Sequence, residues 1–269
     1  MRIGNQEFDV ENKTYVMGIL NVTPDSFSDG GKYNRLDDAL FHAEQMIKEG
    51  VSIIDVGGES TRPGYTQISE DEEIERTVPV IEHLKRNFDV PVSIDTYKSK
   101  VALANAKAGA DLINDIWGLK YDRKMAEVIR ETETACCLMH NRDNTDYRDF
   151  IEDMKADLRE TIRLAKEAQI AENRIILDPG VGFGKTYENN LEAICRVGEL
   201  KELGYPILLG TSKKSVIGLT LDVPADERIV GTAVTTVFGV QQGCAFVRVH
   251  NVKENAEAIR MTEAILGRR

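Results

Sequence analysis

The chain has 269 residues, 42% of them hydrophobic, which is enough for one sizeable buried core. Its net charge of −11 and pI of about 5.0 argue against wholesale nucleic-acid binding, because no basic stripe or basic arm opposes the acidic field. No stretch approaches the roughly 18 apolar residues of a membrane span. None of the four cysteines forms a CxxC pair, so we expect a reduced, soluble, cytoplasmic protein.

Short apolar runs alternate with helical patterns along the chain. The runs are apolar on both faces, which is typical of parallel strands covered by helices. In chain order, the predicted strands are Tyr15–Leu20, Ile53–Val56, Val92–Ile94, Asp111–Ile113, Ala135–Met139, Ile175–Leu177, Ile207–Leu209 and Ala245–Val249.

Helices are predicted between these strands from apolar spacing near 3.6 residues. The clearest are Leu36–Lys48 and Phe150–Ala168. A third segment, Glu227–Gln241, is apolar over most of its surface, so we expect burial on two sides, one of them at a subunit contact. Capping patterns mark two helix starts, Ser69 with Glu72 and Asn251 with Glu254.

Eight strand–helix units of similar length predict a closed (β/α)₈ TIM barrel, formed by residues 1–269 as a single domain. Residues Ile3–Asp9 are predicted to form a short N-terminal hairpin under the barrel floor. An open doubly wound sheet is the alternative. We favour the barrel because no linker-like change in composition divides the chain.

Polar side chains follow nearly every predicted strand, at the end where barrel enzymes carry their chemistry. Any one of them could be a helix cap, as Asp95 before Thr96 and Lys98 illustrates. His140, Lys214, Arg248 and His250 are poor N-caps, so caps alone do not explain the set. The strand-end residues are Asn21, Glu59, Thr61, Arg62, Asp95, Asn114, His140, Asp178, Ser212, Lys213, Lys214, Arg248 and His250.

The residue types suggest a ligand. Asp95, Asn114 and Asp178 suit the amino-pyrimidinone edge of a guanine-like or pterin-like ring. Asn21, Arg248 and His250 become neighbours if the last strand closes on the first. They suit a phosphate or diphosphate, and Asn21 could hold a Mg²⁺ that takes its other ligands from water and phosphate.

Three other patterns are weaker. Residues 179–186 nearly match a nucleotide P-loop, but Pro179 replaces the required first glycine, and we expect the glycines to let this loop turn beside a ligand. His140 has no second metal ligand at helix spacing. At least one of Cys136 and Cys137 must face the packed shell, so a cysteine nucleophile is not expected.

Five segments together resemble the dihydropteroate synthase family, in order and spacing, over essentially the whole chain. The segments are Asn21–Gly31, Gly57–Gly64, Asp178–Lys185, Gly210–Ser215 and Arg248–His250. One departure is Lys213, where the family commonly has Arg. Lys keeps the charge there but loses the planar fork.

The resemblance implies a barrel enzyme of folate synthesis, a homodimer and a sulfonamide target. It would join 6-hydroxymethyl-7,8-dihydropterin diphosphate to 4-aminobenzoate, releasing diphosphate and forming 7,8-dihydropteroate. Pterin contacts are implied for Asp95, Asn114, Asp178 and Lys214. Diphosphate contacts are implied for Asn21, Thr61, Arg248 and His250, with Mg²⁺ at Asn21. Aminobenzoate contacts are implied for Phe27, Arg62, Pro63, Phe183, Lys214 and Ser215.

A mechanism follows from these roles. Breaking the C–O bond leaves a pterin-stabilised cation, which Asp29 and Asp95 could stabilise. A loop folded over the diphosphate would place Phe27 against the amine and exclude water. The rivals are a pterin-dependent methyltransferase barrel, which should lack the aminobenzoate slot, and a non-catalytic pterin-binding protein.

Overall fold

The computed structural model describes residues 1–23, 32–59 and 67–268. An antiparallel hairpin opens the chain, and parallel strands follow. The strands are β1 (Arg2–Ile3), β2 (Gln6–Glu7), β3 (Tyr15–Asn21), β4 (Ile53–Gly57), β5 (Val92–Asp95), β6 (Leu112–Asp115), β7 (Ala135–Met139), β8 (Ile175–Asp178), β9 (Leu208–Leu209) and β10 (Phe246–Val249).

The parallel strands close into a barrel, as predicted. Among the described residues they form one eight-stranded sheet, in the order β8-β7-β6-β5-β4-β3-β10-β9. A parallel bridge between Leu177 and Ile207 joins its two edges. Strand β10 pairs with β3, so the last strand lies beside the first strand of the barrel. This closure rules out the open doubly wound sheet.

Helices cover the outside of the barrel. They are α1 (Lys32–Glu49), α2 (Glu70–Asn87), α3 (Ser99–Lys107), α4 (Met125–Thr132), α5 (Phe150–Glu167), α6 (Tyr187–Cys195), α7 (Ser215–Leu221), α8 (Ile229–Gln241) and α9 (Val252–Ile265). Within the described ranges, no helix combines the length and the apolarity needed to cross a membrane.

The two predicted caps differ. Ser69 accepts a hydrogen bond from the Glu72 backbone N at 3.2 Å, which satisfies an N–H at the start of α2. Asn251 lies at the N-cap of α9 without a side-chain capping bond. Its backbone carbonyl instead accepts a bond from Asn255 Nδ2 at 2.7 Å. The helix start at Asn251 was predicted correctly, and the side-chain cap there was wrong.

The core has two layers. One lies between strands and helices, and the other fills the lower barrel, where Met17, Leu112 and Phe246 are fully buried. The hairpin plugs this floor, as predicted: the ring of Phe8 lies 4.8 Å from that of Tyr15 and 5.6 Å from that of Phe246. Burying side chains of this size contributes about 1.5–3 kcal/mol each. A packed floor leaves the opposite end of the barrel for a ligand.

Candidate active site at the barrel mouth

The upper ends of four neighbouring strands align in one layer. Asn21 pairs with Gly57, Gly57 with Asp95, and Asp95 with Asn114. Paired residues of parallel strands point to the same side of the sheet, so this layer presents an amide, a gap, a carboxylate and a second amide. A Cβ on Gly57 would lie 3.4 Å from Asn21 Oδ1 and 3.9 Å from Asp95 Cβ. The glycine therefore leaves space between two polar side chains.

Arg248 links this layer to a deeper one. Its Nε donates to Asp55 Oδ2 at 2.6 Å, and its Nη2 donates to Asp95 Oδ2. Asp55 lies two residues before the end of β4 and is fully buried. Burial raises the pKa of Asp95 to about 7, although the charge of Arg248 opposes the shift. Asp95 is an ion-pair partner of Arg248, and the N-cap of α3 is Lys98, which rules out the alternative that Asp95 is only a helix cap.

The two carboxylates each keep one oxygen without a partner. Asp55 Oδ1 and Asp95 Oδ1 are buried, and among the described residues neither has a hydrogen-bond donor within reach. Asn114 Nδ2 lies 3.4 Å from Asp55 Oδ2. A buried oxygen without a donor is costly, so a ligand that supplies N–H groups at this depth would be stabilised.

Asp178 ends β8 on the other side of the mouth. Its Oδ1 accepts a bond from the Gly180 backbone N at 2.7 Å. Burial raises the pKa of Asp178, while the charge of Lys214 opposes this. The two residues are close to each other, because a Cβ on Gly210 would lie 3.6 Å from Asp178 Oδ2 and 3.9 Å from Lys214 Nζ.

Lys214 reaches the mouth from the loop before α7. Its Nζ donates to the Val181 carbonyl and lies 4.8 Å from the centroid of the Phe183 ring, a cation–π distance. Burial lowers the pKa of Lys214 to about 8, and Asp178 opposes the shift. The ring of Phe183 also packs on a small cluster of Tyr97, Ile116 and Met139. Asp178, Lys214 and Phe183 thus form one wall.

The seam between β3 and β10 carries the remaining predicted groups. The ring nitrogen His250 Nδ1 lies 3.0 Å from Ser212 Oγ, which also accepts from the His250 backbone N at 3.1 Å. Arg248 pairs in register with Met17, so its side chain enters the barrel beside β3. The predicted proximity of strands at this seam is confirmed.

Comparison with known proteins agrees with this geometry. A family model described as pterin-binding enzyme matches residues 17–250. The chain is 59% identical to the dihydropteroate synthase of Clostridium beijerinckii, with 100% of both chains covered. It is 54% identical to that of Bacillus subtilis, with 96% of this chain and 90% of that protein covered. The chain belongs to the dihydropteroate synthase family.

Solved dihydropteroate synthases have the same fold. The enzyme from Clostridium difficile, crystallised in the presence of pteroic acid, matches with a TM-score of 0.95 and 52% identity over 98% of this chain and 100% of that one. The Yersinia pestis enzyme, solved as a sulfonamide drug complex, matches with a TM-score of 0.93 and 42% identity over 99% of each chain.

Several residues that the dihydropteroate synthase motifs single out lie outside the described residues: Phe27, Asp29, Thr61, Arg62 and Pro63. Their roles stay predictions. Ser215 is described and is exposed as the first residue of α7. Lys213, the departure from the family pattern, has a left-handed backbone with a φ of 58°.

Sequence reasoning missed Asp55. It lies inside an apolar run, so it does not mark the strand end, yet it faces the site from below. A charged residue within a run buried on both faces was the available signal, because a buried charge needs a partner.

The structure describes two of the weaker patterns, the glycine loop and the cysteine pair. In the loop of residues 179–186, Gly180, Gly182 and Gly184 all have positive φ angles, so the glycines do allow a tight turn. Cys136 packs in the outer layer and Cys137 inside the barrel. Burial raises the pKa of both thiols, which makes them unreactive.

Proposed function

We propose that this chain joins 6-hydroxymethyl-7,8-dihydropterin diphosphate to 4-aminobenzoate and releases diphosphate, forming 7,8-dihydropteroate. The observation that carries this proposal is the convergence of Asp95, Asn114, Asp178 and Lys214 on one barrel mouth in a member of the dihydropteroate synthase family. The chain is accordingly a transferase with a diphosphate leaving group.

The pterin ring would lie deepest. Its amino-pyrimidinone edge carries parallel N–H donors, which match the carboxylate of Asp178. Another N–H group of the ring would meet the partnerless Asp95 Oδ1 on the other side of the mouth. Asn114, which pairs with Asp95 across the sheet, offers both a donor and an acceptor on that side. Lys214, beside Asp178, would donate to ring acceptors. The packed wall of Ile116 and Met139 would cover a face of the ring.

The diphosphate would lie at the β3–β10 seam. Arg248 and His250 supply donors there, and Thr61 is expected to add a hydroxyl. The residues fit a Mg²⁺ ion as well, because Asn21 Oδ1 faces the space left by Gly57 and Mg²⁺ needs few protein ligands when phosphate oxygens supply others. When bound, Mg²⁺ would add positive charge that stabilises the leaving group.

Aminobenzoate would occupy the outer part of the mouth. Phe183 and the stem of Lys214 form a partly apolar wall for its ring. From the resemblance to the family, we expect Phe27, Arg62, Pro63 and Ser215 to surround the same ligand. Sulfonamides resemble aminobenzoate, so they should compete for this position.

The reaction transfers a methylene carbon. Its C–O bond breaks, with the electron pair leaving on the diphosphate, and a C–N bond forms from the amine lone pair. An aromatic amine is neutral at pH 7, so no base is required beforehand, and the extra proton leaves after attack. The charge of Asp95 beneath the pterin, together with Asp29, would stabilise the electron-poor ring, while Arg248 and His250 stabilise the leaving oxygens.

A direct assay tests the proposal. Purified protein is mixed with the pterin diphosphate, aminobenzoate and Mg²⁺, and dihydropteroate is measured by chromatography, with sulfonamide added in a parallel sample. Product that falls with sulfonamide supports the synthase. Tight pterin binding without product would contradict it and favour a binding protein. Methyl transfer from a reduced folate would favour the methyltransferase.

We also propose a homodimer in the cytoplasm. Val230, Val234 and Phe238 follow one face of α8 and are 73%, 51% and 43% exposed. Met261 and Ile265 on the adjacent α9 are 64% and 72% exposed. Exposed apolar side chains on two helices that pack together are typical of a protein contact. All four cysteines are free, as expected in a reducing compartment.

A further inference from the structure

Lys185 lies behind the glycine loop and is not needed to explain the site described above. Its Nζ lies 2.9 Å from the Gly180 carbonyl, 2.9 Å from the Phe183 carbonyl and 2.8 Å from His140 Nδ1. An ammonium has three N–H donors and no acceptor, so each donor meets one acceptor. Burial lowers the pKa of Lys185, while the charge of Asp178 opposes the shift.

A second layer fixes the orientation of His140. Its Nε2 lies 2.9 Å from Asp157 Oδ2, and Asp157 also accepts a bond from Arg142 Nε at 2.5 Å. Burial lowers the pKa of His140 to about 4, so the ring is neutral at pH 7. A neutral ring that donates from Nε2 to the carboxylate accepts at Nδ1. In that tautomer the His140 ring presents an acceptor to Lys185 Nζ.

The loop needs such support because its backbone is intrinsically permissive. Gly180, Gly182 and Gly184 all have positive φ angles, and glycine restricts the chain least. The Gly180 carbonyl also accepts from the Phe183 backbone N at 3.1 Å, which closes one turn. Lys185 thus binds both ends of that turn.

The same turn holds three side chains of the site. The Gly180 N–H donates to Asp178, the Val181 carbonyl accepts from Lys214, and the turn carries the Phe183 ring. We propose that Lys185 is a positioning residue, which orients Asp178, Lys214 and Phe183 toward the substrates by holding the turn of residues 180–183. This inference rests on the proposed function, since it assigns the turn to both substrate positions.

The test replaces Lys185 with methionine, which keeps an unbranched side chain of similar length and removes all three bonds. Relative to the unchanged protein, we expect the Lys185→Met variant to raise KM for both substrates by on the order of tenfold, because a displaced turn would weaken the contacts that Asp178, Lys214 and Phe183 make with the substrates. Pterin affinity, measured by fluorescence quenching, should weaken by a similar factor. The change in kcat should be smaller.

Lys155 provides a matched control. Its side chain is only 4% exposed and its Nζ pairs with Glu152, Glu199 and Glu202, on the outer side of the barrel. Lys155→Met should lower Tm as Lys185→Met does, while KM and pterin affinity stay within twofold of the unchanged protein. Equal effects of both variants on KM would overturn the positioning role.

Other outcomes are also decisive. Where the unchanged protein makes dihydropteroate but Lys185→Met has an unchanged KM and pterin affinity, the inference is wrong and the proposed function stands. No product from the unchanged protein would instead count against the proposed function. If Lys185→Met fails to fold, Lys185→Gln, whose amide can still donate to both carbonyls, should raise KM for both substrates by less than about tenfold. If neither variant folds, Lys185 is a general structural residue and the positioning role is wrong.

Discussion

Arg248 and Asp55 meet inside the barrel, with Nε and Oδ2 2.6 Å apart although the residues are separated by 193 positions in the chain. The same guanidinium also binds Asp95 at the mouth. One cation therefore lies between two buried carboxylates, one of which is expected to contact the pterin. The deeper carboxylate, Asp55, therefore influences the substrate site through Arg248 and Asp95.

The first prediction concerns this influence. Burial is the main cause that raises the pKa of Asp95 to about 7, and the negative charge of Asp55 raises it further. Asp55→Asn should therefore lower the pKa of Asp95. Carboxyl ¹³C shifts followed by NMR titration would measure the change. Asp111→Asn, which removes a carboxylate paired with Lys85 far from the mouth, should leave Asp95 unaffected. An unchanged Asp95 titration in Asp55→Asn would contradict the coupling.

The second prediction concerns pH. The pKa of Lys214 is lowered to about 8, so its ammonium is present below that pH and lost as pH rises through it. If the charge is needed for substrate binding, kcat/KM should fall above about pH 8, since this ratio reports ionisation of the free enzyme. Lys214→Arg keeps a charge at high pH and should lose this limb, even with lower activity. If kcat/KM of Lys214→Arg still falls with the same midpoint pH, the ionisation belongs to another group.

The third prediction separates binding from folding at Asp178. Asp178→Ala should weaken pterin binding by about 100-fold or more, because two bonds to a charged group contribute about 1.5–3 kcal/mol each. Calorimetric titration with a pterin would measure the loss. Urea unfolding of the variant should remain cooperative, since a residue at the rim contributes little core packing. Loss of cooperative unfolding would instead make Asp178 a structural residue.

The fourth prediction concerns the glycine loop. A Cβ on Gly180 would lie 1.9 Å from the His140 carbonyl oxygen, at a φ of 67°. Gly180→Ala should therefore reduce the free energy of unfolding by at least about 2 kcal/mol, through strain and overlap together. Gly204 has a similar φ of 82°, and no atom of the described residues lies within 4 Å of its added Cβ, so Gly204→Ala isolates the strain. Denaturant unfolding should show a clearly smaller loss of unfolding free energy for Gly204→Ala than for Gly180→Ala. Equal losses would mean that the close contact with the His140 carbonyl contributes nothing.

The fifth prediction concerns the apolar patch on α8 and α9. Val234→Asp, at the middle of the exposed face of α8, should convert a dimer to a monomer, because it buries a charge at the contact. Light scattering would give the mass. Phe41→Asp changes another exposed apolar residue, on α1, which is 63% exposed against 51% for Val234, and should leave the mass unchanged. If light scattering gives a monomer mass for the unchanged protein, the proposed interface is wrong.

Much of this architecture is visible in the sequence because parallel strands buried on both faces appear as uninterrupted apolar runs. The strand ends follow from that, and Asn21, Asp95 and Asn114 do align across the sheet. Observed strands extend one or two residues past most predicted ends, since hydrogen bonding continues after the apolar run stops.

Other features depend on tertiary contacts that spacing does not reveal. The pairing of Arg248 with Asp55 and Asp95 requires knowing which side chains point inward, and the sequence suggested only a phosphate contact for Arg248. Lys185 was recognised within a motif without a role, because its three acceptors come from a turn and from a distant strand end at His140.

The most direct measurement is a crystal structure with 7,8-dihydropteroate bound. The pterin ring should lie within hydrogen-bonding distance of Asp95, Asn114 and Asp178, with the benzoate ring beside Phe183. A pterin bound instead in the cleft outside the mouth, lined by Trp117, Lys120 and Asn144, would contradict the assignment of the barrel mouth as the site.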